Sequence, residues 1–176
     1  MKFEATDLKD AHLILLDMHS DDRGFFARTY CHNEMSEHGC VSQYVQMNTN
    51  YSRKSGTIRG LHWQDGAFAE AKLVRCITGE VFDAIVDMRT DSLTYLQWQG
   101  FHLTAAERRL LYVPPGFAHG FLSLTDNAEI TYLVSTPYTP AAERGLRWND
   151  PTIGIEWPQD VNFASEKDSN WPDVIP

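Results

Sequence analysis

The chain reads as a succession of short apolar-rich runs separated by turn residues, the texture of an all-β protein. Strands are expected over residues 13–18, 25–30, 42–49, 57–64, 72–78, 81–88, 96–103, 110–113, 120–124 and 128–135. Asp21-Asp22-Arg23-Gly24 separates the first two as a turn, and Thr78-Gly79-Glu80 predicts a tight hairpin between two β-rich runs. One short helix is expected over 33–38, capped by Asn33 and stopped by Gly39, while 104–108 reads as a turn or one helical turn. Short strands at regular spacing argue for an antiparallel sandwich or barrel. Trp98, Phe101 and Tyr112 suit the core of such a barrel; Trp148, Trp157 and Trp171, each near a proline, read as packing residues of a C-terminal wrap.

Composition narrows the class. At 176 residues, 43% of them hydrophobic, the chain can bury a core as a single domain over 1–176, and no repeat or linker suggests a second. A net charge of −9 argues against a nucleic-acid partner, which needs a basic face, but leaves room for a small anionic ligand held by a few local cations. The only early apolar run, 13–16, is too short for a leader or a membrane span. Cys31, Cys40 and Cys76 form no CxxC pair and leave one over, so a reduced, cytoplasmic chain without membrane attachment is expected.

The candidate chemistry centres on Arg59-Gly60-Leu61-His62-Trp63-Gln64. Alternation puts Gly60, His62 and Gln64 on one strand face and Lys72, Val74 and Cys76 on one face of the next. Arg59 has the opposite parity to His62, so both reach one site only if the strand bends, and Gly60 is where a bulge is tolerated. A second signal, Pro114-x-Gly116-x-x-His119 in a loop-like stretch before an apolar strand, resembles the second half of the cupin signature. One histidine in each half is too few ligands for a three- or four-coordinate metal, so no metal is expected and side chains must do the chemistry.

With these motifs in order, the chain resembles the dTDP-4-dehydrorhamnose 3,5-epimerases of cupin type. The resemblance runs from Asp22-Arg23-Gly24-Phe25-Phe26 to Ser165-Glu166-Lys167-Asp168, through Lys72-Leu73-Val74-Arg75-Cys76, Gly79-Glu80-Val81-Phe82-Asp83, Pro115-Gly116-Phe117-Ala118-His119-Gly120-Phe121 and Trp148-Asn149-Asp150-Pro151. It implies a double-stranded β-helix, or jelly-roll barrel, with a short helix and a C-terminal wrap. It implies epimerisation at C3 and/or C5 of a 4-keto-6-deoxy nucleotide sugar, without a cofactor. By resemblance His62 is the general base, Asp168 its orienting partner, Tyr132 the general acid, and Lys72 lies near the keto oxygen. Arg23, Gln46, Asn48, Arg59, His119, Tyr138, Glu143 and Lys167 match substrate-binding positions, and Arg28 occupies another. A homodimer whose N-terminal strands complete the partner's site is implied as well.

Two positions depart from the pattern: Arg28 stands where the family usually carries a glutamate, and the Gln-Asp-Asn triplet reads Gln46-Met47-Asn48. Both suggest an altered nucleotide end, and hence a GDP-, CDP- or UDP-linked 4-keto sugar as the alternative substrate. The rival readings are a metal-dependent cupin and a non-catalytic sugar-binding module.

Overall fold

Alternating inward and outward side chains sort the strands into two antiparallel sheets with apolar residues between them. The computed structural model describes residues 1–174. The strands in chain order are β1 (Lys2–Ala5), β2 (His12–Leu15), β3 (Met18–Asp21), β4 (Gly24–Ala27) and β5 (Gln46–Ser52). Next come β6 (Ile58–Gln64), β7 (Lys72–Thr78), β8 (Glu80–Asp87), β9 (Trp98–Thr104) and β10 (Leu110–Val113). The last three are β11 (Phe117–Ser123), β12 (Ala128–Val134) and β13 (Glu143–Gly145). The helices are α1 (His32–Glu37) and α2 (Glu166–Ser169).

One sheet runs β1-β2-β10-β7-β12-β5 and the other β13-β6-β11-β8-β9, with β3 and β4 forming a separate hairpin. From β5 onward the chain passes from sheet to sheet at every step except β8 to β9, which is the winding of a jelly roll. Thr78-Gly79-Glu80 therefore is not the expected hairpin: β7 and β8 lie in different sheets, and the glycine turns the corner between them. Gly79 has φ +71, and a Cβ there would stand 3.2 Å from the Ala128 Cα.

Val74 and Cys76 of β7 meet Val81, Ile85, Phe117, Phe121 and Ile130 in the inter-sheet core. Fully burying one such large side chain stabilises by about 1.5–3 kcal/mol. The opposite face of the first sheet, with Leu73, Leu110 and Tyr112, is covered by Met35 of α1. The back of the second sheet, with Leu61, Val86 and Ala118, is covered by the C-terminal segment through Leu146, Ile153, Trp148 and Trp157. Phe101 and Tyr112 are core residues as expected, and Trp98 packs under this wrap.

Several boundaries differ from expectation for local reasons. Helix α1 begins after Cys31 with no side-chain cap, so Asn33 lies inside it, while Gly39 at φ +72 follows its end as expected. The run 42–49 starts as a strand only at Gln46, because the Ser42 carbonyl accepts from the Tyr30 hydroxyl and Val41 N–H donates to the Tyr112 hydroxyl. The run 13–18 is two strands, broken at Leu16-Asp17. The loop expected around His119 is the first half of β11, since Phe117 and Ala118 pair with Asp87 and Val86. Strands β1 and β13 carry no clear mark in the sequence.

Candidate active site

An open cleft of about 750 Å³, solvent space included, lies at one end between the two sheets. His62 and His119 reach it from the second sheet, and Lys72, Tyr132, Gln46 and Asn48 from the first. The alternation that sends Val74 and Cys76 into the core brings Lys72, on the same face, to the cleft.

A bulge brings Arg59 and His62 to one site. His119 pairs with His62, but Phe121 pairs with Arg59, so β6 carries one extra residue between the two pairs. Gly60 lies in that extra turn with φ +113, and a Cβ there would stand 2.6 Å from the Gly120 Cα. The expectation of a bend at Gly60 holds. Both Arg59 and His62 line the cleft.

His62 Nε2 lies 2.6 Å from Asp168 Oδ1, a contact spanning 106 residues. Asp168 sits on α2, whose N-terminus is capped by the Ser165 side chain accepting from Asp168 N–H at 3.0 Å. The imidazole side chain is 33% exposed and the carboxylate 7%. Burial raises the Asp168 pKa, but the hydrogen bond and charge of His62, together with Ser165 and the Gly60 backbone, outweigh it and hold the carboxyl below its ordinary range. An ionised carboxylate accepts, so Nε2 carries the proton and Nδ1 is the free basic nitrogen.

Lys72 Nζ lies 2.7 Å from Glu70 Oε1 and donates to the His62 carbonyl at 3.2 Å. The other Glu70 oxygen accepts from Gln64 N–H at 3.1 Å. A second histidine–aspartate pair stands next to the first: His119 Nε2 lies 2.9 and 3.0 Å from the two oxygens of the fully buried Asp83. Glu70 and Asp83 are functional candidates that the sequence reading passed over. Asp83 shares its parity with inward-facing Val81 and Ile85, and a charge at such a position is the signal that could have found it.

Tyr132 stands on β12 opposite Asn48 of β5. Burial pushes its phenol above the ordinary tyrosine value, with Asn48, Asn50 and the charge of Arg59 pulling the other way, so it stays protonated near neutral pH. Gln46 Nε2 donates to Asn48 Oδ1 at 2.9 Å, and Arg59 Nη2 to the Tyr51 carbonyl at 2.9 Å. At the rim Glu143 accepts from Lys167 Nζ at 2.6 Å and from the Tyr138 hydroxyl at 3.1 Å. Burial raises the Glu143 pKa, but Lys167 and Tyr138 more than offset it and keep the carboxyl ionised. The same hydrogen bond to Glu143 raises the pKa of Tyr138.

Three positions lie elsewhere in this chain. Arg23, at the tip of the β3–β4 hairpin, bonds to Asp21 with its side chain 89% exposed. Arg28 pairs with Glu34 of α1 at 2.8 Å. Met47, between Gln46 and Asn48, turns to the outer face beside Thr29, Tyr30 and Leu133. Neither Arg28 nor Met47 lines the cleft of its own chain. Among the described residues no three His, Cys, Asp or Glu side chains converge as a metal-binding group.

The family model for dTDP-4-dehydrorhamnose 3,5-epimerase matches residues 5–175. The chain belongs to the dTDP-4-dehydrorhamnose 3,5-epimerase family. A dTDP-4-dehydrorhamnose 3,5-epimerase of Salmonella typhimurium is 44% identical over 169 residues, covering 95% of this chain and 92% of its own. The crystal structure of the dTDP-4-dehydrorhamnose 3,5-epimerase of Bacillus anthracis, with TDP and PPi bound, superposes with a TM-score of 0.94 at 39% identity, over 98% of this chain and 99% of that one. ChmJ, a 3'-monoepimerase of Streptomyces bikiniensis in complex with dTDP-quinovose, gives a TM-score of 0.88 at 30% identity, over 96% and 85%. The chain is therefore an isomerase of this epimerase family, and its jelly roll is the family's fold. Trp171, expected to be a packing residue of the wrap, packs on Gly145, with its ring centroid 6.1 Å from that of His62.

Proposed function

We propose that the cleft inverts C3, C5 or both of a dTDP-linked 4-keto-6-deoxyhexose, with His62 as base, Asp168 as its orienting partner and Tyr132 as acid. One observation carries this reading: His62 and Tyr132 reach the same cleft from different sheets. Inversion needs a proton removed on one face of a carbon and returned on the other, and two groups on opposing walls meet that need. The C4 ketone acidifies both neighbouring C–H bonds. Nδ1 of His62 takes the proton, and the Asp168 carboxylate stabilises the imidazolium that forms. Lys72, held by Glu70, faces the enolate oxygen, where one well-placed donor lowers the barrier by about 3 kcal/mol. The reaction is redox-neutral and asks for no cofactor.

Arg59, His119, Gln46 and Asn48 bind the nucleotide diphosphate sugar from within the cleft, and Tyr138, Glu143 and Lys167 bind it at the rim. The bound TDP of the Bacillus anthracis enzyme and the dTDP-quinovose of ChmJ support this ligand class. A homodimer completes the site. Strand β5 is a sheet edge with Met47 and Tyr51 exposed, as is Val45 just before it, and the β3–β4 hairpin exposes Phe25 and Phe26. Covering both with a second copy carries the hairpin of one subunit, with Arg23 and Arg28, toward the other's cleft. We place this single domain, spanning 1–176, in the cytoplasm; no helix among the described residues is long and apolar enough to cross a membrane.

The test is proton NMR of dTDP-4-keto-6-deoxyglucose in deuterated buffer. The expected result is loss of the C3 or C5 proton signal, or both, with appearance of an epimer. A substrate unchanged under stoichiometric enzyme would overturn the proposal. GDP-, CDP- and UDP-linked sugars are expected to turn over more slowly in the same assay.

A further inference from the structure

We propose that Trp171 is a positioning residue for His62, and that Gly145 is glycine to let it serve as one. The inference rests on His62 acting as the base. Strand β13 pairs with β6 so that Gly145 lies directly opposite His62. A Cβ built on Gly145 would stand 2.5 Å from both Cδ2 and Nε1 of Trp171, so the indole lies flat on the backbone beside the histidine and any side chain would push it away. The two rings meet edge to face at 65°.

The geometry explains why a second support is needed. The Asp168 hydrogen bond holds one nitrogen of a ring whose side chain is 33% exposed, but one bond leaves rotation about its own axis free. The indole on the flank blocks that rotation and keeps Nδ1 aimed into the cleft. The segment carrying Trp171 is fastened on both sides. Asp168 lies before it, and after it Arg147 pairs with Asp173 while Val174 N–H donates to the buried Asp150 at 2.7 Å. Lys167 Nζ sits 5.7 Å from the indole centroid, adding a cation–π contact from the rim. Among the described residues the indole Nε1 is buried without a hydrogen-bond partner, so no hydrogen bond of its own holds the ring.

Steady-state kinetics on dTDP-4-keto-6-deoxyglucose test the idea, since misaligning a reacting group lowers turnover and leaves substrate affinity alone. Trp171→Ala is expected to lower kcat about 30-fold with KM within about twofold. Trp171→Phe should recover to within about threefold of wild type, while Trp171→Leu, which keeps apolar bulk for folding, falls about tenfold. Gly145→Ala should reproduce the loss, and the Gly145→Ala/Trp171→Ala double variant should be no worse than Trp171→Ala, because both act through one ring. Wild-type kcat in Trp171→Ala and Trp171→Leu, a change in KM alone, or losses that multiply in the double variant would overturn the inference. His62→Asn run alongside separates the two readings. If it turns over, the proposed function falls; if it is inactive beside a fully active Trp171→Ala, only this inference falls.

Discussion

Two histidine–aspartate pairs stand side by side on the same sheet, directly paired across β6 and β11, and they are built differently. His119 and Asp83 come from adjacent strands, with side chains 8% and 0% exposed. His62 is 33% exposed, and its aspartate comes from a four-residue helix near the far end of the chain. The first pair is part of the barrel. The second exists only after the C-terminal segment has wrapped over the back of the sheet and returned to the cleft mouth. A rigid pair suits holding a substrate group in place, whereas a pair with an open, solvated imidazole suits taking up and releasing a proton.

The comparison breaks first at His62. The His62→Asn variant is expected to lose about 10³-fold in kcat while calorimetry finds dTDP binding unchanged. Asp168→Asn should lose about 10²-fold, since the neutral amide stabilises neither the required tautomer nor the imidazolium. Asp83→Asn should behave in the opposite sense. Its buried partner loses a charge-assisted hydrogen bond, so denaturant unfolding is expected to report a loss of about 2 kcal/mol, the larger effect falling on stability.

A smaller effect concerns pH. Burial raises the Asp168 carboxyl and His62 more than offsets it, leaving the folded-state pKa below the ordinary value. The pair's contribution is therefore complete above the unfolded carboxyl value, about pH 4, and fades as pH falls through the folded one. The gap in Tm between wild type and Asp168→Asn is expected to hold its full width above about pH 5 and to narrow as pH falls below about 4.

What could be read from the sequence follows the range of the physics. Period-two runs marked the core strands and the shared face of Lys72, Val74 and Cys76, and the parity conflict at Arg59 pointed to a bulge at Gly60. The alternation that turns Met47 away from Gln46 and Asn48 is equally readable. The corner at Gly79 looked like a hairpin because a turn residue between two strands does not say whether the strands share a sheet. Contacts between distant segments left no local mark. The His62–Asp168 bond came only through family resemblance, and the places of Glu70 beside Lys72 and Trp171 beside His62 needed the folded chain.

The most direct test of opposing base and acid is deuterium exchange by Tyr132→Phe set against His62→Asn, followed by proton NMR on dTDP-4-keto-6-deoxyglucose. With the base intact and the opposite donor removed, Tyr132→Phe is expected to wash deuterium into the sugar without inverting it, while His62→Asn does neither. Exchange at the wild-type rate in His62→Asn, or normal inversion in Tyr132→Phe, would contradict the account.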